Sequence, residues 1–75
     1  MADGFSDKLD LSVSTPNLET AIAELAYRGG ELVYPVAWNV LTTESARRQS
    51  DQGASITIPR DKFEELPPTV KEFLA

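Results

Sequence analysis

Hydroxyls, three lysines, four arginines and twelve carboxylates are the main reactive side chains of these 75 residues, which contain no histidine and no cysteine. A serine or threonine nucleophile needs a base to take its proton, and the usual base is imidazole. Lysine is the alternative, but no motif sets Lys8, Lys62 or Lys71 beside a serine. Asp61, Glu64 and Glu65 offer paired carboxylates on one short stretch. Two acids on a single helical turn are far more often a solvated face than a catalytic pair. Zinc sites and disulfides draw on residues the chain does not have. Asp51-Gln52-Gly53 has an acid and a glycine but not the ligand spacing of a calcium loop, and reads as a turn. The expectation is a protein that is no enzyme, with no cofactor, no metal and no small-molecule substrate.

Arginine chemistry points toward phosphate. Arg47 and Arg48 adjoin in sequence, and Arg28 and Arg60 could join them in a basic patch. Against this stand 12 acids to 7 bases and a formal net charge of −5, which repel a polyanion unless the charges segregate. Nucleic-acid contact through Arg47, Arg48 and Arg60 is therefore the alternative reading. Arg28-Gly29-Gly30 matches the tripeptide of RNA-binding tails, but those tails repeat it many times. A single copy after a strong helix reads as a stop signal. The acids confer solubility, or they form an acidic face aimed at a basic groove, DNA mimicry included.

The remaining chemistry is recognition. Leu32, Tyr34, Val36, Trp38 and Val40 alternate strictly, which puts Tyr34 and Trp38 on one face of a strand. Tyr and Trp dominate interface hot spots. The candidate contact is thus Tyr34 and Trp38, with Glu31, Glu64 and Glu65 as rim charges. Packing of both aromatics in the core is the competing reading.

Helix and strand patterns set these residues in place. Leu9, Leu11 and Val13 alternate with polar residues and predict a strand over 8–13. Thr15 as N-cap, Pro16 in the first turn and Glu19 nearby predict a helix over 16–28. Leu18, Ala21, Ile22, Leu25 and Ala26 form its apolar stripe, Arg28 suits its last turn, and Gly29-Gly30 ends it. Residues 31–41 carry two patterns. The β-branched and aromatic alternation favours a strand, with Pro35 on an edge or bulge. Val36, Ala37, Val40 and Leu41 also fit one helical face behind Pro35. The strand is the preferred reading, followed by a short helix over 43–49 capped by Thr42 or Thr43, and a turn at 50–53. Residues 54–59 read as a strand ended by Pro59. Asp61 caps a helical turn holding Phe63 and Leu66, and Thr69 caps a last turn with Val70, Phe73 and Leu74.

Together these predict one small α+β domain over 8–75 behind a flexible lead-in at 1–7. Its main helix packs through Leu18, Ile22 and Leu25 on a short, mostly antiparallel sheet, with C-terminal helical turns. The acidic N-terminus lacks the basic start and apolar stretch of a signal peptide, and no apolar run spans a bilayer, so the expected location is cytoplasmic. A chain this short buries only about 60–65% of its unfolded surface. With no covalent staple, a partner is the compensation left. The expected function is a non-enzymatic interaction module: a small acidic regulator, inhibitor or accessory subunit of a larger protein, or a homo-oligomer.

Overall fold

The structure is a computed structural model, and it describes residues 7–47 and 53–74. The lead-in at 1–6, Arg48 and the 50–52 part of the expected turn lie outside the described residues. The fold is α+β. Strand β1 (Lys8–Val13) is followed by helices α1 (Thr15–Tyr27), α2 (Gly30–Val33) and α3 (Pro35–Arg47), then strand β2 (Ala54–Pro59), α4 (Arg60–Glu64) and α5 (Pro68–Leu74). The two strands pair antiparallel, from Lys8 opposite Pro59 to Val13 opposite Ala54.

Period-two alternation makes the sheet one-sided. Leu9, Leu11 and Val13 turn inward with Ile56 and Ile58. Lys8, Asp10, Ser12, Ser55 and Thr57 are exposed. On that outer face Thr57 donates its hydroxyl to Asp10 Oδ1 at 2.8 Å. Helix α1 packs against α3 and α5, α3 runs against β2, and α5 against β1. The core they enclose includes Leu18, Leu25, Leu41, Ile56, Ile58, Val70 and Leu74, and no polar or charged residue among those described is buried.

Several local readings change. The N-cap of α1 is Ser14, whose hydroxyl accepts from the Asn17 N–H at 3.3 Å, so Thr15 is already helical. The stripe holds at Leu18, Ala21 and Leu25, with Ile22 half-buried, while Ala26 is exposed. No strand forms over 31–41. Pro35 opens α3, where its missing N–H costs nothing because first-turn donors have no helical acceptor. Burial then recurs at Ala37 and Leu41, with Glu44 and Ser45 half-buried one turn on, the helical period, whereas Leu32 and Val36 of the alternating set are exposed. The expected short helix over 43–49 is the continuation of α3 as far as Arg47. Thr42 is no cap; its hydroxyl donates to the Trp38 carbonyl one turn back at 2.7 Å. Asp61 and Thr69 likewise lie inside the first turns of α4 and α5 rather than capping them. No helix among the described residues is long and apolar enough to cross a membrane.

Candidate functional site

Among the described residues, the exposed large apolar side chains fall in one stretch of sequence. Leu32 is 91% exposed, Tyr27 85%, Val33 58% and Val36 38%. They occupy the corner where α1 hands over to α2 and α2 to α3. Helix α1 ends at Arg28, whose N–H donates back to Glu24 and Leu25 carbonyls at 3.2 and 3.0 Å. Gly29 then takes φ 120° and Gly30 φ 49°, backbone that other residues rarely adopt. Two such residues in succession turn the chain sharply into α2. That helix is four residues long, too short to bury more than one side. Its buried member is Gly30, so Leu32 and Val33 are left outside.

The corner is fixed rather than loose. A Cβ on Gly29 would lie 2.4 Å from Val33 Cγ2. The Tyr34 N–H donates to the Gly30 carbonyl at 2.9 Å, and the Trp38 N–H to the Tyr34 carbonyl at 2.8 Å. Gly30 lies against the Trp38 ring, since a Cβ built there would be 3.5 Å from it.

These contacts relocate the expected anchors. Tyr34 caps α2 and Trp38 belongs to α3, so they share no strand face. Both are half-buried and pack against the core. The rim charges divide. Glu31, in the first turn of α2, lines a shallow groove with Val36 and Trp38. Glu65 lines a crevice with Tyr34, Pro35 and Val36 on another side. Val36 is thus flanked by two acids. Glu64 faces a separate hollow with Asp7, Arg60 and Asp61. Two cations near the corner have acidic neighbours: Arg28 reaches Glu24 at 3.8 Å, and Lys62 reaches Glu65 at 3.8 Å. All four side chains are more than a third exposed, so these pairs are weak and salt-sensitive.

The arginines do not form one surface among the described residues. Arg47, in the last turn of α3, lies 4.0 Å from Glu44 beside the middle of β2. Arg60 opens α4 in the hollow with Asp7, Asp61 and Glu64. Among the described residues no cluster of three or more acids could share a metal ion.

Sequence reasoning missed Tyr27, Leu32 and Val33. Tyr27 carried a usable signal, because it lies two residues past Leu25 and off the stripe that ends there. Leu32 carried none, because its place in the alternating run assigned it inward or outward according to an element that does not form. No protein-family model, curated protein or solved structure matches the chain.

Proposed function

We propose that the chain is a non-enzymatic protein-interaction module, a small acidic regulator, inhibitor or accessory subunit that docks on a larger protein through Tyr27, Leu32, Val33 and Val36. The observation that carries this is the exposure of Leu32 and Tyr27, 91% and 85%, on a corner held by two left-handed glycines. A large aliphatic and a tyrosine on a rigid projection lose little conformational freedom on binding, and tyrosine is among the commonest hot-spot residues. The net charge of −5, with Glu31 and Glu65 flanking Val36, fits a partner whose apolar recess is bordered by basic side chains. Apolar contact supplies the affinity in this reading, and the acids speed and select the encounter.

The test is a quantitative affinity purification from the native cell with three baits: the parent, Leu32→Asp with Tyr27→Ala, and Thr69→Ala as an exposed control. A specific partner should fall by about 2 kcal/mol or more in affinity with the double variant, some thirtyfold or greater, and be retained by the control. Equal recovery on all three baits overturns the assignment of the corner.

A further inference from the structure

A second surface lies along the edge of β2 that does not face β1. One hollow of about 320 Å³ is lined by Val40, Thr43, Glu44 and Arg47 of α3 together with Ser55, Ile56 and Thr57 of β2. Ser55 and Thr57 point to the outer face of the sheet, whereas Ile56 points to the core. A space bordered by residues of both faces runs along the strand's edge, and β1 already occupies the other edge. Half the backbone N–H and C=O groups of a strand point to each edge. Among the described residues, 54–59 makes no backbone hydrogen bond outside its ladder with β1.

Native edges are usually blunted by charge, bulge or cover. Strand β2, Ala-Ser-Ile-Thr-Ile-Pro, has no charged residue, and its proline stands only at the far end. Strand β1, by contrast, carries Lys8 and Asp10. The wall of the hollow holds a carboxylate whose ion pair is long. Glu44 has a side chain only 24% exposed, and its arginine is 4.0 Å away and 75% exposed.

We propose that the outer edge of β2 receives an extended segment of a partner protein as a third strand, with an apolar side chain turned toward Val40 and Ile56 and a basic one beside Glu44. Only an extended backbone satisfies a row of edge donors and acceptors, and the half-buried carboxylate selects a cation. This surface adjoins the groove beside Val36 at Asn39 and Val40, but its strand edge and Glu44 are distinct from the corner's Tyr27, Leu32 and Val33.

The test uses the isotopically labelled whole chain and the synthetic peptide acetyl-Thr-Ile-Thr-Lys-Thr-amide, whose isoleucine and lysine share one face when extended, followed by NMR. Resonances of 54–59 and of Val40 to Arg47 should shift together. Alternate amides of β2 should exchange about tenfold more slowly at saturation, because they gain acceptors. A peptide with proline in place of the isoleucine and the central threonine should not bind. Glu44→Lys should weaken the lysine peptide severalfold and instead favour the peptide with glutamate in place of its lysine. No shift up to about 1 mM peptide, roughly −4 kcal/mol of binding, overturns the proposal. So does protection of β2 that rises with protein concentration alone, which would assign the edge to a second copy.

Discussion

Leu25 and Leu32 are the same residue on adjacent helices, and the structure assigns them opposite roles. Leu25 has no exposed surface, whereas Leu32 is 91% exposed. Truncating each to alanine leaves helix propensity nearly unchanged, so the difference reports packing alone. Burial of a leucine side chain stabilises by about 1.5–3 kcal/mol, and the cavity left by truncation raises the loss to roughly 3–5 kcal/mol. A domain of this length holds about 4–11 kcal/mol in total, at 0.05–0.15 kcal/mol per residue. Leu25→Ala therefore removes about a quarter or more of the stability. At about 4–8 °C per kcal/mol, the transition drops by some 12 °C or more. Leu32→Ala loses almost no buried area and should stay within about 0.5 kcal/mol of the parent. The assay is urea unfolding followed by far-UV circular dichroism, at two protein concentrations differing tenfold. The midpoint for Leu25→Ala should fall at both concentrations, and that for Leu32→Ala at neither. Equal losses for the two variants refute the placement of the corner. A Leu32→Ala loss that appears only at the higher concentration means that a second copy covers it.

Gly29→Ala should destabilise by about 2 kcal/mol or more, since it forces a side chain into φ 120° and against Val33 at 2.4 Å. Adding Val33→Gly should recover the steric part only, read as a partial return of the urea midpoint. The emission of Trp38, the single tryptophan, should be blue-shifted and partly shielded from a neutral quencher in the monomer, because its ring packs against Gly30 and the core. Emission like that of a free indole in water contradicts this packing.

Legibility followed how many independent signals bore on each element. For β1, alternation alone sufficed because both faces differ sharply, and the pairing partner 54–59 showed the same pattern. For α1, stripe, proline and glycine stop agreed; the cap slipped by one residue, from Thr15 to Ser14, and the stripe ended at Leu25 rather than Ala26. Residues 31–41 failed because five positions satisfied a period of two by coincidence while Pro35, read as a strand edge, was in fact a helix start. The deciding quantity was burial of Ala37 and Leu41 against α1 and β2, a tertiary fact. The same error moved the contact site. Once the strand dissolves, Tyr34 and Trp38 turn to the core, and the apolar surface passes to their neighbours Leu32, Val33 and Val36. Of the acids, Glu31 and Glu65 ended beside that surface, and Glu64 did not, since one residue along a helix is about 100° around it.

The sheet joins the first element to the fifth. Each residue of β1 meets a partner about forty to fifty positions further along, with three helices in between. Closing so long a loop costs entropy before any ladder bond rewards it. This separation predicts that helical turns of α1 and α3 arise early and locally, and that strand pairing is the late, rate-setting event. Until it occurs, the inward residues of both strands stand open to water and to other chains. The speed of folding, and the exposure to aggregation along the way, are thus set by when residues 54–59 find 8–13, rather than by the helices that make up most of the molecule.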